Sequence, residues 1–439
     1  LHEASHPIAP CFADRLAEPK HLCDYCNASI EGKFLAKLRK RPTIADVART
    51  AGVSIGTVSN YLNGTAFVRP QTKGRIEGAI NELTYRPSAV ARSFAGGTAT
   101  VRPNDHLSLP RLLAIGYISV DYLCRIDVLP HRDDRITAKH IEKALGSPAV
   151  KVAVVGAGVG GPYGLDVELA TAVGHDPDSD WALAELSSRG VHALPIRQSF
   201  NNRLSRCIVL IEASGSRTII NEPFELNVID LTANFEVKPG TRAAWLHIED
   251  YHYERMIDST DRFREAGWKV SLHSTGLPAA SRTPAAFQDL VRSVDLIFIN
   301  DVMLREIFDI RAPVASMVAQ INKSLKALGP RDDAVLTLGE LGAVVFPKSS
   351  SRPVRVPALP VDRIDATGAG DAFVGVFLSY WLHGENLETA ARHGAVASSL
   401  TTTAEGAQGY ISGFAELEAA LATMTVKTIR TGDDTGVSA

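Results

Sequence analysis

Between Thr43 and Phe94, apolar residues recur three and four positions apart in three short blocks, Ile44 to Ala51, Ile55 to Leu62 and Thr72 to Leu83. That period predicts three helices. Gly52-Val53-Ser54 separates the first two, a tight turn whose serine can cap the next helix, so the block reads as an all-α helix-turn-helix unit. Ser88 to Phe94 predicts one more short helix after Tyr85-Arg86-Pro87, and the polar, Gly- and Pro-rich stretch from Gly96 to Pro110 has the composition of a linker. Beyond it the pattern changes. Short apolar runs at Leu112 to Val120, Val152 to Val155, Cys207 to Glu212, Ala244 to Ile248, Val270 to His273, Leu296 to Ile299, Ala334 to Leu338 and Ala343 to Phe346 alternate with helical stretches. Such alternation predicts an α/β body with a mainly parallel sheet and helices on both faces.

The expected organisation is a flexible arm over residues 1–40 with a short helix over Lys33 to Arg39, a helix-turn-helix domain over 41–95 and a linker over 96–110. An α/β body with a small lid follows over 111–427, and a flexible tail over 428–439. The 439 residues, 45% hydrophobic and 22% charged, hold no apolar run of the roughly 18 residues a membrane span needs. Leu1 to Pro10 lacks the layout of a signal peptide, and the cysteines at 11, 23, 26, 124 and 207 are too scattered for a disulfide framework, so a reducing cytoplasm is the expected compartment. The chain starts at Leu1 rather than Met, which suits a processed or differently assigned start. Cys23 and Cys26 have metal-knuckle spacing beside His21 and Cys11, but no second ligand pair follows at zinc-finger distance; they read as incidental thiols, and no metal site is assigned.

The net charge of −3 is a sum of unlike parts. Residues 1–32 carry −3, residues 33–100 carry +8 and the remainder −8. A small basic module ahead of an acidic body suggests a nucleic-acid contact in the basic part, against the plainer reading of a solvated charged face.

The helical block makes the choice. Thr43-Ile44-Ala45-Asp46-Val47-Ala48, Ala51-Gly52-Val53-Ser54, Thr57-Val58-Ser59, Leu62-Asn63-Gly64, Tyr85-Arg86-Pro87 and Ala91-Arg92-Ser93-Phe94 together resemble the LacI-type DNA-binding domain. The resemblance implies that the second helix enters the major groove of double-stranded operator DNA with Ile55, Gly56 and Asn60 at base edges. Thr43, Ser54, Thr57, Ser59, Asn63 and Thr72, with Lys73 and Arg75, would hold the backbone. Asn60 suits adenine more than guanine. Phe94 stands where the family drives an apolar wedge from a hinge helix into the minor groove; the plainer alternative is a linker aromatic packing on the body. Strong binding to a palindromic site implies a homodimer.

In the body, Asp365-Ala366-Thr367-Gly368-Ala369-Gly370-Asp371-Ala372-Phe373 sets small residues at the start of a helix. There, bare backbone amides of Gly368, Ala369 and Gly370 can cradle an anion while Asp371 takes a proton from an attacking hydroxyl. The string resembles the signature of the ribokinase or PfkB family of carbohydrate and nucleoside kinases. Other features follow in the family's order: Leu113-Ala114-Ile115-Gly116 leading to Asp121, Gly160-Gly161, Asp295 to Asn300, and Leu336-Thr337-Leu338-Gly339-Glu340-Leu341-Gly342. The resemblance implies a ribokinase-like fold, a sugar or related small-molecule acceptor held by Asp121, Gly160, Gly161 and Asp166, and ATP with Mg²⁺ beside Asn300, Thr337, Gly339, Gly342 and Thr367. It also leaves a place for a monovalent cation near Asp365.

Three departures matter. Leu165, or with one shift Asp166, stands where the family places a sugar-binding Asn after the glycine pair. The family's Asn-x-x-Glu reads Asn300-Asp301-Val302-Met303, with Asp301 or Glu306 as substitutes, and the usual Asp-Gly-Glu-Arg turn reads Ser214-Gly215-Ser216-Arg217, taken as surface variation. Two competing motifs are set aside. Val152 to Val155 followed by Gly156, Gly158 and Gly161 fits a dinucleotide fingerprint, but the next expected strand, Val191 to Ile196, ends on Arg197 rather than an acid. His247, Glu249 and His252 after a strand read as ordinary polar contacts rather than a metal cluster. Two functions remain: a bifunctional transcriptional regulator and ATP-dependent sugar kinase, or a catalytically reduced kinase fold that senses a sugar or nucleotide for a DNA-binding protein.

Overall fold

Strands buried on both faces are nearly continuous apolar runs, and most of the runs named above become the central strands of a parallel sheet. The structure, a computed structural model, describes residues 44–54, 57–58, 61, 69–83, 109–197, 203–212, 216–223, 231–232, 235, 237, 243–249, 253–256, 259–274, 277–278, 281–328, 333–350, 352–404 and 410–432. It divides into two units, Leu1–Gly97 and Thr98–Ala439.

In the first unit, α1 (Ile44–Ala51) and α2 (Pro70–Leu83) flank residues 57, 58 and 61, which are helical. Val47, Ala48, Ala51, Val58, Ile76 and Ala79 close a core of small and branched side chains. Arg75 reaches back from α2 to the carbonyls of Ala51 and Gly52, the latter at 2.7 Å. Gly52 adopts φ 60°, and a Cβ there would lie 2.6 Å from the Arg75 guanidinium. The guanidinium thus satisfies carbonyls that α1 leaves open at its end, which gives Arg75 a fold-holding role.

The second unit holds thirteen described strands: β1 (Arg111–Ile115), β2 (Ser119–Arg125), β3 (His140–Gly146), β4 (Asp166–Val173), β5 (Val191–Arg197), β6 (Ser205–Ile211), β7 (Arg217–Asn221), β8 (Ala244–Glu249), β9 (Lys269–Ser274), β10 (Leu296–Asn300), β11 (Asp333–Thr337), β12 (Ala343–Phe346) and β13 (Val354–Val356). Its helices are α3 (Pro148–Val159), α4 (Pro177–Ser188), α5 (Tyr253–Met256), α6 (Thr260–Glu265), α7 (Pro284–Ser293), α8 (Asp301–Phe308), α9 (Val314–Leu328), α10 (Ala369–Leu382), α11 (Leu387–Thr401) and α12 (Phe414–Gly432). The main sheet runs β13-β12-β11-β10-β9-β8-β1-β4-β5, parallel from β11 to β5, with β12 and β13 antiparallel at one edge. A second sheet, β3-β2-β6-β7, forms the lid. The chain winds outward from β1 in both directions, so the switch point between β1 and β8 marks where such sheets bind ligands, at the strands' carboxyl ends.

One expected strand is a helix. Val152 to Val155 lies inside α3, whose Ala149, Val150, Val152, Ala153, Val154, Val155, Gly156 and Val159 are all buried. A helix buried on nearly every side has no polar stripe, so its sequence cannot be told from a buried strand by period. The dinucleotide fingerprint falls with it. Its glycines serve packing: a Cβ on Gly158 would lie 2.5 Å from Ile411 and one on Gly161 2.9 Å from Phe414.

Gly74 and Gly78 lie within α2, and a Cβ added at either would meet nothing within 4 Å. Each glycine costs about 1 kcal/mol relative to Ala in a helix. Gly74→Ala and Gly78→Ala should therefore each stabilise the small unit by about 1 kcal/mol, read as a later midpoint of its transition in urea with the α/β transition unmoved.

Candidate active site

After β1 the chain turns through Gly116 and Tyr117 into β2, and this turn is pinned from below. Glu249, fully buried at the end of β8, accepts from the amides of Tyr117 at 3.1 Å and Ala149 at 3.4 Å. It thereby ties the switch point to the start of α3. Asp121 then faces a cavity of about 240 Å³. Ser119 donates to its Oδ1 at 2.9 Å, and a Cβ on Gly146 of the neighbouring strand would sit 2.1 Å from that oxygen, so the glycine makes the room Asp121 occupies. Burial pushes the Asp121 carboxyl above the usual carboxylate range, with the charge of Lys151 and the Ser119 hydroxyl pulling the other way. Ser147, Lys151, Asn221, Asp365 and Thr367 add polar walls, while Leu123, Cys207, Val209, Ile211 and Ile219 give the lid an apolar underside. The Cys207 thiol is pushed up to about 12, first by burial and then by Asp121, and stays protonated.

The floor is the 365–371 loop. Asp365 Oδ1 accepts from the Thr367 amide at 2.8 Å and hydroxyl at 2.6 Å, and Arg217 of the lid pairs with it at 3.1 Å. Gly368 then takes φ 76°, a left-handed turn, and α10 starts at Ala369. Its first helical bond runs from Ala372 to the Gly368 carbonyl at 2.8 Å. Of the amides ahead of Ala372, that of Ala369 donates to the Ala366 carbonyl at 3.3 Å and so is not bare as expected, while those of Gly370 and Asp371 have no carbonyl within the helix to meet and give the turn partial positive charge. On the far side of this turn Thr337, Gly339, Gly342, Ala369, Gly370 and Phe373 line a second cavity of about 90 Å³. A Cβ on Gly342, at φ 89°, would lie 2.1 Å from the Val356 carbonyl, so the loop after β11 can fold back only with glycine there. Asp371 sits in the first turn of α10, 6% exposed. Its Oδ2 lies 3.8 Å from Lys151 Nζ and its Oδ1 3.4 Å from His273 Nδ1.

One thin, glycine-rich turn thus lends Asp365 and Thr367 to the larger cavity and Ala369 and Gly370 to the smaller; Gly368 and Asp371 line neither, and Asp371 reaches the larger one only through Lys151. Residues 110–412 match the model of the pfkB family carbohydrate kinases. The chain belongs to that family. Residues 43–88 match the lacI family of bacterial regulatory proteins. Among curated relatives, an ATP-dependent ribose-1-phosphate kinase of Halopiger xanaduensis is 24% identical over 68% of this chain and 94% of its own. The repressor PurR of Pectobacterium carotovorum is 59% identical over 52 residues, which are 12% of this chain and 15% of PurR. Among solved structures, a putative ribokinase from Agrobacterium tumefaciens shares the fold with a TM-score of 0.61 at 18% identity, covering 73% of this chain and 99% of that one. A LacI-type DNA-binding segment and a pfkB-family kinase body are therefore fused in one polypeptide.

The structure brings Asp121, Asp365 and Thr367 to the larger cavity and Thr337, Gly339, Gly342, Ala369 and Gly370 to the smaller. Gly160, Gly161 and Asp166 are placed elsewhere. Gly160 caps the C-terminal end of α3, about 18 Å of helix from Ser147, and Asp166 opens β4 beside Arg111, at the amino edge of the sheet. The expectation that they hold the acceptor is corrected: Ser147 and Lys151, at the other end of α3, face the cavity. Lys151 could have been noticed as the sole charge in an otherwise apolar helix. Arg217, taken as surface variation, bridges lid and loop instead.

Asn300 lines neither cavity; its Oδ1 caps α8 by accepting from Met303 N at 2.8 Å. Met303 is buried, Asp301 pairs with Arg305, and Glu306 pairs with Arg282. That motif offers no free carboxylate for Mg²⁺. His247 meets Ser271 at 2.9 Å, its ring pushed down to about 3 by burial and His273, and no metal-ligating cluster occurs among the described residues. In the first unit, Ser54 caps the residues after the turn, its Oγ accepting from Thr57 N at 3.1 Å, and Thr72 lies in the first turn of α2. Thr43, Ile55, Gly56, Ser59, Asn60, Asn63 and Phe94 lie outside the described residues, as does the arm with Cys23 and Cys26.

Because folding raises the Asp121 pKa, its ionised form opposes folding above that raised value. The penalty vanishes once pH falls below the ordinary value of 3.8, where both states are protonated. Asp121→Asn should thus unfold at higher temperature than the wild type at neutral pH, with the gap closing in acid, and should bind the acceptor more weakly.

Proposed function

We propose that the chain is an ATP-dependent kinase for a sugar or nucleoside hydroxyl that also binds operator DNA as a homodimer. The observation that carries this reading is the turn at residues 365–371, with one cavity on each side and Asp371 buried at the start of α10. In this reading the larger cavity takes the acceptor. At about 240 Å³ it is smaller than the roughly 300–1,000 Å³ of drug-sized sites, which suits a monosaccharide. The Gly339–Gly342 loop and Gly370 leave the bare surface a nucleotide phosphate chain needs, and ATP supplies the phosphoryl group. Asp371 takes the acceptor proton, and the amides of the turn hold the charge that develops on the transferring group. The apolar underside of the lid excludes water.

Exposed Ile208 and Ile220 face one another across β6 and β7 on the lid's outer surface, a patch suited to burial by a second copy. Two small units would then span two half-sites.

A sensor without turnover is the second reading. Its specific support is the motif at Asn300, whose side chain is committed to capping and whose acidic position is the buried Met303.

ATP consumption should be measured against ribose, ribose 1-phosphate, hexoses, keto-deoxy sugar acids and nucleosides. The wild type should turn over one class, with Asp371→Asn lowering kcat by about 10²- to 10⁴-fold. Unchanged turnover in Asp371→Asn would remove the base; tight acceptor binding with no turnover would favour the sensor. On the DNA side, affinity for a selected genomic fragment should fall steeply between about 50 and 200 mM salt, as phosphate contacts demand; binding indifferent to salt would refute an operator-reading unit.

A further inference from the structure

Asp371 has two carboxylate oxygens in two different settings. Oδ2 is turned toward Lys151, which lines the acceptor cavity. Oδ1 is buried and, among the described residues, accepts no hydrogen bond. The atom it faces is His273 Nδ1, which is equally buried and equally without a hydrogen bond, at 3.4 Å. His273 is the next-to-last residue of β9, with 4% of its surface exposed, and its ring lies against the glycine turn: a Cβ on Gly370 would be 3.5 Å from both Cε1 and Nε2. A buried polar atom left unmet carries a desolvation cost, and two such atoms facing each other are a hydrogen bond that a shift of a few tenths of an ångström completes. The carboxylate can only accept, so the hydrogen must be on Nδ1.

We infer that His273 is the positioning residue of the base: its Nδ1–H holds Asp371 Oδ1 and so presents Oδ2 to the acceptor hydroxyl. The inference rests on the kinase reading above for what Oδ2 does, and on geometry alone for the pairing. Phe298 meets the His273 ring edge-on at 6.4 Å, and His247 lies behind it at the same distance. The imidazole is therefore packed among buried rings. Holding one oxygen fixes the torsion of the carboxylate, which matters because a reacting group misplaced by about 1 Å loses on the order of 100-fold in rate. His273 does not touch the acceptor in this arrangement, so its effect belongs to kcat and not to affinity.

The full-length protein is tested in two arms. In the first, long-range proton–nitrogen spectra of histidine-labelled wild type, assigned by loss of a signal in His273→Asn, read the tautomer without any turnover. A hydrogen on Nδ1 is expected; a bare Nδ1 with the hydrogen on Nε2 overturns the pairing. In the second, His273→Leu should lower kcat on the order of 100-fold with KM for acceptor and ATP unchanged within about threefold. His273→Asn, which keeps a donor near the Nδ1 position, should restore most of the loss. Equal defects in both variants, or a defect confined to KM, overturn the positioning role. If the wild type turns over no acceptor, the kinase reading fails and the tautomer alone decides the pairing; if the wild type is active and His273→Leu matches it, the kinase reading stands and this inference falls.

Discussion

The close approach of α3 to α10 is the constraint on which the rest of the kinase body depends. A Cβ on Gly375 would lie 2.9 Å from both the Val152 carbonyl and the Val155 side chain, so only glycine lets the helices meet at this distance. Gly394 does the same on the other flank, where a Cβ would lie 2.9 Å from the Phe373 carbonyl. With α10 clamped between α3 and α11, its first turn cannot slide. That fixes Asp371 against Lys151 on one side and His273 on the other, and it fixes the glycine turn as the partition between two cavities. Charge stabilisation of phosphoryl transfer needs groups that are already in place, and packed backbone supplies that rigidity with less conformational freedom to lose than long side chains have.

Much of this was legible in the sequence because its signals are local. The parallel strands are short apolar runs, the turn before α10 is spelled by Gly368 and Gly370, and the reading unit is spelled by an ordered series of small, polar and apolar positions. What could not be read was long-range. Val152 to Val155 lacks a polar stripe because α3 is buried nearly all round, so a helix looked like a strand and its packing glycines like a cofactor motif. Gly160-Gly161 drew attention as a pair, whereas the cavity is reached from the opposite end of α3. His273 carries no motif and Arg217 is the retained Arg of a turn read as surface variation; each matters because β9 and β7 deliver them to the 365–371 loop from some 100 and 150 residues away in sequence. Arg75 shows the reverse case, a basic residue in a basic module whose charge is engaged by the carbonyls of Ala51 and Gly52.

The uneven charge gives the two units separate physical tasks. The +8 of residues 33–100 suits a polyanion, while in the −8 body the larger cavity is lined by Asp121, by Lys151 and by the ion pair Asp365–Arg217. Ligand occupancy of the body can alter DNA affinity only if it binds two states of the protein unequally, typically by about 1–3 kcal/mol. Arg217 joins the lid to the loop that lines the larger cavity.

A crystal structure with the preferred acceptor and a non-hydrolysable ATP analogue bound together tests the central claim most directly. The acceptor should lie in the cavity of Ser147 and Lys151, one hydroxyl within about 2.6–3.2 Å of Asp371 Oδ2, and the analogue's terminal phosphate on the amides of the Gly368–Gly370 turn. An acceptor seated at Gly160–Gly161, or both ligands on the same side of that turn, would contradict it.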